Sequence, residues 1–339
     1  LIMSYTIKIF RSAVIVSVCA ANLFSQTGSY VGTSSANFLK IGLGAKAVGM
    51  GDSYITESED ASALYWNPGA ITRIGHPSAA LSSLQWLVGS NVSYAAAVLP
   101  TDFGTVGIDL IYFGSGDIEE TTLEQQDGTG RVVAANGMAI GFTYARDLTE
   151  RFSVGLKIKY VREQLATVYA GAYAFDVGSI FSTPFLGGMK IGMSLSNFGG
   201  SMRFDGNDLV VTHVVPGSPT GKQIPAELQT TDWELPLFFR AGLATDVLTT
   251  DGAKVKISYT ITDSRDFSAR HAIGAACTIV NTLTLRGGYR FNYDEATFSV
   301  GGGVQLNSAQ AGRFFLDYSY THFGRIGGIH QVSVSVNLN

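Results

Sequence analysis

From Ser78 onward the chain alternates apolar and polar residues with a period of two. Val255, Ile257, Tyr259 and Ile261 alternate with Lys254, Lys256, Ser258, Thr260 and Thr262. Near the end, Val332, Val334, Val336 and Leu338 alternate with Gln331, Ser333, Ser335 and Asn337. Period two puts each set on its own face of an extended strand. Segments of this kind recur between turn residues, as Ser78 to Trp86, Val92 to Pro100, Gly104 to Phe113, Met138 to Asp147, Phe152 to Gln164, Ala170 to Phe181 and Met189 to Phe198. They resume as Leu235 to Asp246, Lys254 to Asp263, Arg270 to Val280, Leu283 to Asn292, Ala296 to Leu306, Arg313 to His322 and His330 to Leu338. The pattern therefore predicts an all-β chain of about fourteen antiparallel strands, in segments of the length that crosses an outer membrane.

The connections and the charges sharpen that reading. Even-numbered turns are short, and both long insertions, 114–136 and 199–232, fall on odd connections. Bacterial outer-membrane barrels have an even strand number, short periplasmic turns and longer external loops. A soluble sandwich with one wet face would alternate in the same way. Tyrosines at strand ends, which suit interface girdles, and an export signal favour a transmembrane barrel. By parity Asp109, Lys157, Lys159, Asp176, Lys190, Arg240, Lys254, Lys256, Arg286, Arg290 and Asp317 point into the lumen, sparing the lipid face a cost of roughly 2–4 kcal/mol per charge.

The run Phe38 to Ile74 fits neither period. Gly42, Gly44, Gly49 and Gly51 permit sharp bends and close approach of other backbone. A short amphipathic piece with Ala61, Leu64 and Tyr65 at helical spacing follows, and Trp66-Asn67-Pro68-Gly69 forces an exit turn. This predicts an N-terminal hatch folded into the lumen, with Asp52, Glu57, Glu59 and Asp60 docked against the basic residues Lys157, Lys159, Arg240, Lys254, Lys256, Arg286 and Arg290.

The stretch FLKIGLGAKAVGMGDSYITESEDASALYWNPGAIT, together with the ending FFLDYSYTHFGRIGGIHQVSVSVNLN, resembles the PorV/PorQ family, within the wider FadL-like superfamily of outer-membrane barrels. Asp60-Ala61-Ser62 and Asn67-Pro68 look like the superfamily's hatch motif, with Gly69 where Ala is more usual. The resemblance implies a role in type IX protein secretion. PorV-like members recognise the C-terminal signal domain of exported cargo and carry it from the translocon to an attachment machine, while PorQ-like members join that machinery. The alternative reading is FadL-like uptake of hydrophobic small molecules, lipid or fatty acid, with Asn67-Pro68 as a hinge.

Composition adds exclusions. Only 15% of 339 residues are charged and 40 are glycine, which fits neither a disordered chain nor a nucleic-acid binder. Residues 1–25 read as a signal peptide, 26–77 as the N-terminal segment with a periplasmic-side hatch, and 78–339 as the barrel. On that division the C-terminus is also periplasmic. Cys19 falls in the leader, so Cys277 has no intramolecular partner. Outside the leader, no stretch offers about 20 uninterrupted apolar residues for a spanning helix.

Little suggests an enzyme. His322 and His330 flank one turn near Ser319 and Asp317, the only arrangement resembling a nucleophile with a base. His76, His213 and His271 are scattered, no spacing matches a metal site, and no cofactor is called for. Partner recognition falls to the long insertions. The acidic one carries Glu119, Glu120, Glu124 and Asp127, and the apolar one Leu209, Val210, Val211, Val214, Val215 and Pro216, an exposed combination that suits a binding surface.

Overall fold

The computed structural model describes residues 32–214, 216, 223–310 and 312–339. The leader and Val215 lie outside them. Fourteen long strands form one antiparallel wall: β1 (Ser78–Gln85), β2 (Asn91–Thr101), β3 (Gly104–Gly114), β4 (Ala135–Thr149), β5 (Phe152–Leu165), β6 (Val168–Ser182) and β7 (Lys190–Gly199). They continue as β8 (Phe238–Thr249), β9 (Ala253–Ser264), β10 (Phe267–Ile279), β11 (Leu283–Phe291), β12 (Ala296–Ser308), β13 (Gly312–Phe323) and β14 (Gly327–Asn337). Each strand pairs with the next, and β1 pairs with β14 from Ser78 opposite Asn337 to Gln85 opposite His330. The sheet is closed, which removes the unpaired edge that lipid would leave unsatisfied.

Alternation sets the two faces. Outward residues such as Leu81, Ile108, Phe142, Leu156, Val177, Leu316 and Val334 are exposed, while the inward neighbours Asp109, Thr143, Lys157, Asp176, Asp317 and Ser335 are buried. An apolar exterior around a polar, filled interior is the inverse of a soluble core, and it is the surface that a bilayer covers.

Several boundaries move from those expected. β8 starts at Phe238 rather than Leu235, because Pro236 cannot donate to the ladder and its carbonyl instead accepts from the Asn197 amide at 2.7 Å. β4 reaches back to Ala135, and β14 to Gly327. Within the long insertions, Ile118–Glu119 pairs with Val132–Val133, and Val210–Val214 pairs with Gln223–Glu227 as a separate ribbon.

Residues 34–74 run inside the cylinder. Their backbone passes close to inward glycines on successive strands. A Cβ at Gly155 would lie 2.4 Å from the Pro68 carbonyl carbon, one at Gly178 2.9 Å from the Pro68 backbone nitrogen, and one at Gly192 2.8 Å from the Ile55 carbonyl oxygen. Across the lumen the same holds for Gly274 against the Met50 carbonyl at 2.5 Å, Gly288 against the Gly51 amide at 2.2 Å and Gly301 against the Gly49 Cα at 3.2 Å. Only glycine allows main chain to lie on main chain this closely.

Gly155→Val is expected to leave the wall folded but to displace residues 67–70, at an overpacking cost of about 1–3 kcal/mol. Limited proteolysis reads this directly: the variant should be cut within 40–74 while its wall keeps heat-modifiable migration on gels. Unchanged protection would show that the contact at Gly155 is not limiting.

Candidate functional site

The inner segment spans the height of the cylinder. Its start lies at the long-loop end: the Ser35 amide donates to the Glu234 carbonyl at 3.0 Å, the Ala36 amide to Glu163 Oε2 at 3.0 Å, and Lys40 pairs with Asp266 at 2.6 Å. Its finish lies at the short-turn end, where Arg73 donates to the Glu150 carbonyl at 2.9 Å. The expected hatch on the periplasmic side did not include a start at the loop mouth. Residues 33–40 carry no glycine or charge pattern that marks their height in the lumen.

The motif residues are used structurally. Gly44 (φ 91°) and Gly51 (φ 66°) adopt backbone that favours glycine, flanking the helical turn Ala45–Gly49. The helix Ala63–Trp66 is buried on every side, so the expected amphipathic piece has no wet face. Trp66 Nε1 donates to the Leu43 carbonyl at 2.9 Å. Asn67 Nδ2 donates to the Ile55 carbonyl and to the Ser179 carbonyl of β6, both at 2.9 Å, and its Oδ1 accepts from the Gly69 amide, capping the turn that Pro68 begins. One amide thus ties two parts of the segment to the wall.

The acids divide between two clusters. Asp52 receives Arg290 at 2.7 Å. Glu57 pairs with Lys256, and Glu59 lies 3.5 Å from Lys256, 3.7 Å from Lys46 and 3.8 Å from Arg286. Asp60 meets Lys46 at 2.7 Å and accepts from Ser62 Oγ at 2.5 Å and from Ser335 Oγ at 2.7 Å. Lys46, at the centre, also faces Asp317 at 3.9 Å and the Phe315 ring at 3.8 Å. Lys46 was missed in the sequence; its one signal is a lone lysine in a run of Gly and Ala.

The expected docking onto the basic lumen needs correction. Only Lys256, Arg286 and Arg290 pair with carboxylates of the inner segment. Lys157 pairs with Asp109 at 2.7 Å and Lys159 with Asp176 at 2.8 Å, wall to wall. A lysine on β5 sits beside inward carboxylates on nearby strands, and the shorter reach wins. Lys254, 44% exposed, pairs with Asp246 at 2.9 Å near the turn end, beyond the segment's reach. Arg240 contacts the segment through rings rather than carboxylates, with its guanidinium 5.7 Å from the Tyr65 ring and 5.4 Å from that of Trp66.

His322 and His330 lie on the outward face, His322 stacked on Phe298 and His330 bonded to the Tyr318 hydroxyl at 2.6 Å. Ser319 and Asp317 point inward, so the wall separates the base from the nucleophile. Among the described residues no group of three or more His, Cys, Asp or Glu side chains is placed to hold a metal ion. At the loop end Arg131 reaches Glu120 at 3.2 Å and Asp208 at 3.4 Å, joining the two long insertions through an exposed contact. Val210, Val211, Val214, Ile224 and Leu228 stand exposed on the apolar ribbon, as does Pro216, with Leu209 half-buried at its base.

Burial alone would raise the Asp60 carboxyl. Lys46, Ser62 and Ser335 outweigh it and hold it below its ordinary 3.8. Burial alone would lower the Lys46 ammonium; Asp60, Glu59 and Asp317 outweigh it and hold it above 10.5. The Asp60 contribution is therefore full above about pH 4 and lost as pH falls through the lowered value. The Lys46 contribution is full below about pH 10.5 and lost as pH rises through the raised value. Protection of the segment from protease should stay flat from about pH 5 to 9 and fail in strong acid. Asp60→Asn should cost about 3–5 kcal/mol by leaving Lys46 short of its closest counter-charge, measured as a lower unfolding midpoint. A pH-sensitive plateau, or a neutral Asp60→Asn, would contradict the arrangement.

No curated protein matches the sequence. Among solved structures the chain is similar to a Pseudomonas aeruginosa FadL homologue, at 11% identity and TM-score 0.56 over 87% of this chain and 98% of that one. It is also similar to the Ralstonia pickettii toluene transporter TbuX (13% identity, TM-score 0.56, 88% and 99%) and the Pseudomonas putida toluene transporter TodX (12%, 0.56, 87% and 97%). Identities this low establish a shared FadL-like barrel and nothing more. The profile of the family described as "Type IX secretion system protein PorV" matches residues 24–209, more than half of the chain. With a closed fourteen-strand wall, an apolar exterior and this match, the chain belongs to the PorV family of outer-membrane type IX secretion proteins.

Proposed function

We propose that the protein is a non-enzymatic binding barrel of type IX secretion, capturing the C-terminal signal domain of exported proteins or the translocon and attachment machinery through its long-loop end. The observation that carries the reading is the ribbon Val210–Val214 with Gln223–Glu227, whose apolar side chains Val210, Val211, Val214 and Ile224 stand exposed among the described residues. An exposed apolar patch rimmed by polar residues marks an interaction surface. The short-turn end, with residues 68–77 and Asn337, faces the periplasm on this reading, and the loop end faces outside, as in other bacterial barrels. The inner segment acts as a fixed hatch, sealing the lumen while the rim works.

Uptake of hydrophobic molecules is the second reading, favoured by the transporters that share the fold. It requires a route through the lumen or through a lateral opening in the wall. The Ala63–Ile74 stretch and the ion-paired clusters fill the lumen, so a luminal route needs the segment to swing aside at Asn67-Pro68, breaking both hydrogen bonds donated by the Asn67 side chain.

Deleting Val211 to Gln229 should leave a folded barrel that no longer retains a purified cargo C-terminal domain in a pull-down from detergent-solubilised membranes. Retained capture would overturn the assignment to this loop, and fatty acid copurifying in stoichiometric amount would favour uptake.

A further inference from the structure

Arg240 is the one basic residue of the lumen cluster whose charge the described residues leave without a carboxylate. It projects inward from β8 and is 6% exposed. Its neighbours Lys157 and Lys159 are each neutralised, by Asp109 and Asp176, and hold further acceptors in the Leu64 carbonyl and Asn197. Among the described residues no carboxylate stands within ion-pair reach of Arg240. Its guanidinium donates to Ser196 Oγ over 3.5 Å and to the Tyr65 hydroxyl, and faces the rings of Tyr65, Trp66 and Phe238 at 5.7, 5.4 and 4.7 Å.

Ring faces stabilise a desolvated cation by less than removing that ion from water costs. The rings leave part of that cost uncovered. Three cations and two carboxylates line this region, so it carries one excess positive charge. Beside Arg240 lies a small cavity of ≈ 10 Å³, bordered by Lys159, Ser196, Asn197, Tyr65 and Asp109. That is room for one particle of about the size of a water molecule. A chain-bearing carboxylate cannot enter so small a space.

We propose that this cavity binds a single small inorganic anion of chloride size, held by Arg240 and bordered by the Asn197 and Ser196 side chains. The anion completes the charge balance of the upper lumen. It also fills the space between β8 and Tyr65 of the inner segment, so its binding stabilises the fold. Asp109, whose Oδ1 has no hydrogen-bond partner, also borders the space. A water molecule accepting from Arg240 and donating to Asp109 is the competing occupant.

Two measurements on the full barrel in detergent decide between them. Crystals grown in bromide should show an anomalous peak within hydrogen-bond distance of the Arg240 guanidinium. The unfolding midpoint should rise and saturate as chloride replaces gluconate at constant ionic strength, and Arg240→Met should abolish that rise. Absence of the peak at saturating bromide would overturn the proposal in favour of water. A rise that survives in Arg240→Met would overturn it in favour of a site elsewhere. Should Arg240→Met fail to fold, the wild-type bromide map decides by itself.

Discussion

Main chain resting on main chain is the contact on which this molecule depends. A barrel wall in lipid needs every backbone group bonded within the sheet, which fixes the strands and leaves only side chains to vary inward. The wall meets residues 34–74 by having no side chain at Gly155, Gly178, Gly192, Gly274, Gly288 and Gly301. These positions lie at intervals around the circumference, so the segment is held from opposing sides rather than along one seam. Interior packing then resembles that of a soluble core, with Leu39, Leu43, Ile55, Leu64 and Ile71 fully enclosed.

Charge inside the lumen is balanced as a whole but not locally. Around Lys46, four carboxylates (Glu57, Glu59, Asp60 and Asp317) meet three cations (Lys46, Lys256 and Arg286). Around Arg240 the excess has the opposite sign. Buried ion pairs of this density add little net stability over apolar packing, but they penalise any arrangement that separates the partners. The lumen therefore favours one register of the segment over its slipped alternatives.

Much of this was legible in the sequence. Alternation from Ser78 to Leu338 gave the strand number and the facing of Asp109, Lys157, Asp176 and Asp317, because period two is a geometric property of extended chain and the two solvents differ sharply. The glycine and Asn67-Pro68 signals marked the segment that departs from the wall. Pairing was not legible. Whether Lys157 reaches Asp60 or Asp109 depends on strand register and on the height of the segment, and neither leaves a trace in composition. Lys254 and Lys256 share a face and differ by two residues, yet one reaches Glu57 and the other stops at Asp246. The family resemblance supplied the secretion role, which no residue chemistry by itself would have named.

The course of the segment has a consequence for assembly. Residue 34 lies at one mouth, and Ser78 starts the first staves at the other, so the polypeptide passes once through the hole it later lines. Either the seam between β1 and β14 zips shut around a strap already laid in place, or the free end is drawn through a finished ring. A ring carrying so many snug backbone contacts leaves no clearance for the second route. Closing the seam around the strap then also plugs the bore.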